Sequence, residues 1–467
     1  MLTLSIIILI TSLGRWININ RMTMIVFIYS GILSINMTGE SNSAIGCSDM
    51  GMINSGIGLY NGLYQVTPIT QFIETYINIL AVGCMAMKAR SEYSILALIV
   101  TVGMSSLISS NEIVSILIGI ELQTLGLYVI ASLDRGSETS TAAGLKYYLL
   151  GGLSSCIIGL GLSMIYGITG VTNIEELNIL IKINDDSRHL IMTKVLITVG
   201  LLFKIGAAPF HNWLADVIDG VPTAISAWLA VVSKISIIII LLILYNAILI
   251  KINTSGGGPI IILSIILCFI VGSLVGIIQS RIKTLLAYSS IAHAGYILIG
   301  IIVNNNLGLT GLIFYMVQYS LTALNIFMII IAYGEVKGAS IVKISQLKEI
   351  PNTWLAISLA ISLFSSAGIP PFIGFYAKLN ILYSALDTGF YFITIIAILT
   401  SIISGYYYIK VIKVIYFEGE WCRVGTANEV RGAISENYSI IIAMISLVII
   451  LFILSPEWLY NSIQMIC

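Results

Sequence analysis

Charge is what this sequence has least of. Only 9% of its 467 residues are Asp, Glu, Lys or Arg, against about a quarter in a soluble domain. Basic and acidic residues balance at 22 each, so there is no net field to attract a nucleic acid. Cysteine is scarce as well. Cys47, Cys84, Cys156, Cys268, Cys422 and Cys467 form no C-x-x-C pair, and three of them lie in apolar runs; they read as small hydrophobes, not as metal or iron–sulfur ligands. The three histidines, His189, His211 and His293, are too scattered for a metal motif. Neither a G-x-G-x-x-G nor a Walker sequence is present, which assigns nucleotide chemistry to a partner. No basic n-region precedes the apolar residues that begin at Leu2, so neither a cleavable leader nor an Arg-rich transit peptide is expected.

What is abundant is apolar sequence: 58% of residues are hydrophobic and the mean hydropathy is +1.02. Runs of membrane-spanning length fall at 2–13, 22–37, 66–87, 93–109, 113–132, 145–167 and 190–218, then at 222–250, 259–278, 284–303, 308–333, 353–386, 389–416 and 438–455. These fourteen spans predict an all-α polytopic membrane protein. Three polar stretches interrupt them. Residues 38–62, rich in Gly, Ser and Asn, read as an exposed loop. Residues 172–188 read as a short surface helix with Thr172 and Glu175 as a capping box. Residues 418–437 read as a polar connector.

Loop charges orient the chain. Loops after odd-numbered spans, taken with the span ends beside them, hold 14 Lys and Arg residues, whereas those after even-numbered spans, counted in the same way, hold four: Lys182, Arg188, Lys194 and Lys251. Odd loops should therefore face the matrix or cytoplasm, and both termini the intermembrane space or periplasm.

Two spans carry breaks. Gly206-Ala-Ala-Pro209-Phe210 recurs 162 residues later as Gly368-Ile-Pro370-Pro371-Phe372, and each is preceded by Leu-Phe. Proline removes a backbone donor and clashes with the preceding turn, and in lipid the freed groups survive only against protein or a hydrated cavity. Each break lies in the fourth helix of a five-helix unit. Five being odd, the second unit enters the membrane from the opposite side. The expected organisation is an N-terminal three-helix segment (1–90), a five-helix repeat (91–250, spans 4–8), an inverted repeat (251–417, spans 9–13) and a connector with the last helix (418–467). Inverted repeats with broken helices are a transporter architecture with its ion site near the midplane.

Ionisable residues inside the spans mark that site. Glu121, Lys146, Lys204, Lys234 and Lys378 lie within spans five to twelve, with His293 in span ten. Four unpaired lysines facing lipid would cost roughly 10–14 kcal/mol on insertion scales, so they are expected to face a hydrated interior and one another. Burial favours a neutral amine, and a nearby carboxylate favours the ammonium; lysines sharing one glutamate can therefore pass a proton as that pairing is made and broken. Lys146, near the start of its span, also fits a side chain snorkelling to the surface, and His293 fits a satisfied interior histidine as well as a relay member. Glu112, Asp216 and Asp219 sit at helix ends and read as caps or interface residues. Glu74, in span three, has no assignment beyond packing or subunit contact.

Six stretches together resemble one family: IGIELQTLGLYVI around Glu121, GLKYYLLGGLSS around Lys146, LLFKIGAAPFHNWLADV around Lys204, AWLAVVSKISI around Lys234, LLAYSSIAHAGYILIG around His293 and FSSAGIPPFIGFYAKLN around Lys378. They resemble the antiporter-like membrane subunits of respiratory complex I, which are similar in turn to subunits of multisubunit cation/proton antiporters. The resemblance implies that Glu121 pairs with Lys204, that Lys234 is the central lysine and that Lys378 is the terminal one. Lysine at 378 in place of glutamate, with no long lateral helix after span fourteen, favours the subunit 2 branch. Three spans before the first repeat imply a fungal, plant, protist or bacterial type.

The implied function is proton translocation through Glu121, Lys146, Lys204, Lys234, His293 and Lys378, with Gly206, Pro209, Gly368, Pro370 and Pro371 breaking the helices. No cofactor and no metal is expected in this chain; FMN, iron–sulfur clusters and quinone would belong to partner subunits, and bound lipids are expected. The expected partners are other membrane-arm subunits, including further antiporter-like ones, in the mitochondrial inner membrane or, alternatively, a bacterial plasma membrane. Two other classes fit the residues: a sodium/proton antiporter subunit without redox coupling, and a scaffold whose charges bind neighbours.

Overall fold

The computed structural model describes residues 19–41, 56–87, 91–183, 188–249, 257–338, 340–350, 352–418 and 436–466. The first expected span, most of the 38–62 loop and nearly all of the 418–437 connector lie outside them. Every other expected span is met by a helix or a pair of helices. Eight described helices are long and apolar enough to cross a membrane unbroken, and four apolar ones are shorter.

In chain order, the first helices are α1 (Ile19–Ser41), α2 (Pro68–Ala86), α3 (Ser91–Ile108), α4 (Ile113–Ala131), α5 (Glu138–Thr169) and the short α6 (Ile174–Ile183). The first broken span is α7 (Arg188–Ile205) followed by α8 (Asn212–Gly220). Next come α9 (Thr223–Ala227), a π turn at Trp228–Val232, α10 (Ser233–Leu244), α11 (Gly257–Ile278), α12 (Ile282–Val303) and α13 (Asn306–Lys337). The second broken span is α14 (Thr353–Ala367) with α15 (Ile373–Asp387), before α16 (Tyr391–Phe417), α17 (Glu436–Leu451) and α18 (Pro456–Ile466).

The chain forms two compact units, Met1–Gly206 with Val232–Leu263 and Ile466–Cys467, and Ala207–Val231 with Ser264–Met465. The chain passes between them at 206/207, 231/232 and 263/264, and within the second unit α8 and α9, beyond the first break, pack on α12 and α13. In the first unit α3 pairs with α4, α4 with α5 and α5 with α7, while α10 lies against α3, α4 and α7. Lipid supplies no hydrophobic drive for such contacts, so close backbone approach at small residues matters: a Cβ on Gly103 would meet Gln123 N at 2.6 Å, and one on Gly119 would meet Leu107 Cα at 3.0 Å. In the second unit α13 is the buried axis, packed by α9, α12, α14, α15 and α17.

Three local expectations are corrected. The described end of the 38–62 loop is a β-hairpin, in which β1 (Ile57–Leu59) pairs antiparallel with β2 (Tyr64–Val66). Tyr60, Asn61 and Gly62 turn it at φ 52°, 58° and 87°, a left-handed region that Asn and Gly tolerate. Ser109 O, accepting from Gln65 N at 2.7 Å, pins the hairpin beside the α3–α4 turn. The cap of α6 is Asn173 and not Thr172, since Asn173 Oδ1 accepts from Glu175 N at 2.9 Å; the Glu175 carboxylate instead accepts from Gln65 Nε2 at 3.0 Å. Lys194, counted above as a loop cation, lies inside α7 and is only 1% exposed.

Both breaks have one backbone design. Gly206 N donates to Leu202 O and Phe203 O, and Gly368 N donates to Phe364 O and Ser365 O. Four residues on, Phe210 N donates to Ala207 O, as Phe372 N does to Ile369 O. The glycines stand at φ 77° and 83°, and each break contains a cis prolyl bond, Ala208–Pro209 and Pro370–Pro371. A glycine at positive φ closes each first half-helix as a left-handed C-terminal cap, and the prolines prevent its continuation.

Candidate functional site

In the first unit the helix contacts set heights. On α5, Gly151 faces Tyr128 and Gly159 faces Leu117 of α4, and Gly144 faces Ser132, which caps α4; on α7, Gly200 faces Ser154 and Ile158 of α5. This register places Glu121 on α4 and Lys204 on α7 at the level of the same α5 turn, around Gly151 to Cys156. Lys204 is 8% exposed, one residue before the end of α7, and its Nζ has no hydrogen-bond partner among the described residues. Glu121, half-buried, and Cys156 are the acidic groups within electrostatic range of it. A buried ammonium with no hydrogen bond costs several kcal/mol. Two states relieve that cost: hydration, or loss of the proton.

Lys234 is buried in the first turn of α10, directly after the π turn. Such π turns leave the ladder irregular and recur at functional sites. Here Gln123, fully buried two residues after Glu121, holds the turn: its Nε2 donates to Ser233 O at 2.8 Å, and its Oε1 accepts from Ser236 Oγ at 2.7 Å. The amide thus ties the helix of Glu121 to that of Lys234. Lys146, by contrast, points outward and is exposed on α5.

The second unit holds His293 and Lys378. His293 on α12 is 5% exposed, with Nδ1 at 2.7 Å from the Tyr315 hydroxyl and Nε2 at 3.1 Å from that of Tyr408. Lys378 on α15 is buried, donates to Ala367 O at 2.7 Å and lies 5.4 Å from the centre of the Tyr296 ring. Ala367 is the last residue of α14, so the ammonium sits at the negative end of a half-helix. At the helix ends, Glu112 caps α4 with its N–H donating to Ser115 Oγ at 3.3 Å. Asp219 pairs with Arg281, and Lys283 Nζ donates to Val221 O at 2.6 Å.

Of the residues read from the sequence, Glu121, Lys204 and Lys234 thus fall in the first unit, Glu121 within electrostatic range of Lys204, and His293 and Lys378 in the second. Sequence reasoning missed Gln123, Lys194, Tyr315 and Tyr408. Gln123 was legible as a lone amide in an apolar helix; the tyrosines carried no signal in a chain with 24 of them. His293→Leu is expected to orphan the Tyr315 hydroxyl, at roughly 1–3 kcal/mol, while that of Tyr408 keeps Ser289, Tyr407 and Ser366 as partners. The measurement is the temperature at which the membrane assembly inactivates, and an unchanged value would show that the Tyr315 hydroxyl finds another partner.

A family model described as NADH:quinone oxidoreductase/Mrp antiporter, transmembrane, matches residues 110–404. NADH-ubiquinone oxidoreductase chain 2 of Rhizopus oryzae is 37% identical, over 96% of this chain and 94% of its own. NADH-quinone oxidoreductase subunit N 1 of Rhizobium meliloti is 38% identical, over 80% of each. Among solved structures, a chain of respiratory complex I from Thermus thermophilus superposes with a TM-score of 0.79 at 23% identity, covering 99% of this chain and 98% of that one. A chain of the Mrp complex from a Dietzia species gives 0.82 at 21% identity, covering 100% and 94%.

Proposed function

Because the chain belongs to the NADH:quinone oxidoreductase/Mrp antiporter transmembrane family, we propose that it is a proton-translocating membrane-arm subunit of NADH:ubiquinone oxidoreductase, of the chain 2 type. Glu121, Lys146, Lys204, Lys234, His293 and Lys378 form its proton relay. The observation that carries this reading is Lys204: a buried amine at a helix break, within range of Glu121 and with no hydrogen-bond partner for its Nζ among the described residues. Uptake is favoured when Glu121 supports the ammonium, and release when that support is withdrawn. Gln123 keeps the helices of Glu121 and Lys234 in register while this happens. Lys146, on the outer face of α5, is the relay group open to a neighbouring subunit.

Electron transfer belongs to other subunits, which hold the FMN, iron–sulfur clusters and quinone, while lipids occupy the apolar outer faces. The subunit resides in the mitochondrial inner membrane, in keeping with the fungal relative; a bacterial plasma membrane is the alternative. Purification tests the assembly. Co-isolation with flavin and iron–sulfur subunits supports this reading, and isolation in a membrane complex lacking them replaces it with a sodium/proton antiporter subunit.

The charge asymmetry orients the subunit. The connection between α13 and α14, carrying Lys337, Lys343 and Lys348, faces the matrix or cytoplasm. A single cysteine placed at Ser345 is expected to react with an impermeant maleimide from that side of sealed vesicles alone. Labelling from the opposite side would reverse the topology.

A further inference from the structure

Helices α1–α3 precede the family match, which begins at residue 110, and the relay uses none of their polar groups. On α2, Gln71, Glu74, Thr75 and Asn78 follow the spacing i, i+3, i+4, i+7 and share one face. Glu74 is half-buried; Gln71 and Asn78 are 8% and 2% exposed. Thr75 is satisfied within its own helix, donating to Phe72 O at 2.6 Å. Gln71 Oε1 and Asn78 Nδ2 have no hydrogen-bond partner among the described residues.

The neighbouring helix does not supply one. Opposite Asn78, α1 presents Gly31, where an added Cβ would stand 3.6 Å from Asn78 Cβ. The α1 hydroxyls near that level donate within α1, Ser30 to Phe27 O at 2.9 Å and Ser34 to Gly31 O at 2.9 Å. Each orphaned amide atom costs about 1–3 kcal/mol, and buried water is the usual resolution where a site offers two to four polar partners. Here an acceptor, a donor and a carboxyl span about 10 Å along one helix face. A bare cation fits less well, because Asn78 presents its NH2 group.

We propose that the α1–α3 segment holds a line of internal waters joining Gln71 Oε1, the Glu74 carboxyl and Asn78 Nδ2, and that Glu74 exchanges its proton through them. This site is separate from the Glu121–Lys204 pair and stands whether or not the relay does. A high-resolution cryo-EM map of the intact membrane complex should show water at hydrogen-bonding distance from both amide atoms. Both amides turned onto protein groups, with no water between them, would overturn the site.

The proton is read separately. Dicyclohexylcarbodiimide adds to a protonated carboxyl in a membrane interior, so treated membranes should yield a modified peptide covering 68–86, and Glu74→Gln should lose the label. Gln71→Leu/Asn78→Leu, which removes the water's partners without leaving a polar orphan, should slow labelling while the complex still assembles. An unlabelled wild-type peptide would overturn proton exchange at Glu74, and an unchanged rate in the double variant would overturn its dependence on the water.

Discussion

Lys204→Arg is expected to abolish NADH-driven proton pumping in a complex of normal subunit content. Arginine keeps the charge and nearly the length of lysine, so a scaffold or snorkelling role would be rescued by it. The guanidinium does not deprotonate in proteins, its pKa being above about 12, so a relay role is lost. The site sharpens the contrast, because Lys204 Nζ makes no hydrogen bond among the described residues that a guanidinium could inherit. Lys204→Met, apolar and of similar length, should be inactive as well, and Lys204→Ala should leave assembly largely intact while depressing coupled turnover. Proton uptake by reconstituted vesicles is the measurement, with subunit content checked on native gels. Normal coupled pumping in the Arg variant would remove Lys204 from the relay.

Gly374→Ala is expected to have the largest effect on assembly. Gly374 lies in the first turn of α15, just past the second break, where an added Cβ would stand 1.7 Å from Ser365 O and 3.0 Å from Gln318 Nε2. The first obstacle is backbone of α14 and cannot rotate away, so the two half-helices must separate. Overpacking of this kind costs typically 1–3 kcal/mol and sometimes more, and the displacement falls on the segment that aims Lys378 at Ala367 O. Loss of assembled complex on native gels, several-fold against wild type, is the expected result. Gly405→Ala on α16, where nothing lies within 4 Å of the added atom, is the control and should be silent. Equal assembly of both variants would show that the break yields without cost.

The sequence by itself determined the spans, the two breaks and the positions of charge along the chain. Span by span, transfer to lipid is a local sum over residues; proline and left-handed glycine act through covalent geometry and need no neighbour. That is why 190–218 and 353–386 could be read as broken helices, and why Gly206 and Gly368 cap their first halves alike. The family motifs, read together, were enough to indicate the kind of protein, and the relatives agree.

The tertiary structure alone decided what each charge faces. Lys146 and Lys194 have similar apolar surroundings in sequence, yet the first is exposed on α5 and the second is enclosed on α7. Lys378, past the second break, bonds the end of α14, while Lys204, before the first, has no hydrogen-bond partner among the described residues. Gln123 reaches Ser233 O 110 positions away, and His293 is held by hydroxyls 22 and 115 positions away. The physical reason is common to all of them. A helix that is apolar on every side has no preferred face in its own sequence. Its rotation and height are set by where its neighbours' small residues let the backbones approach, and only that packing turns a lysine inward or outward.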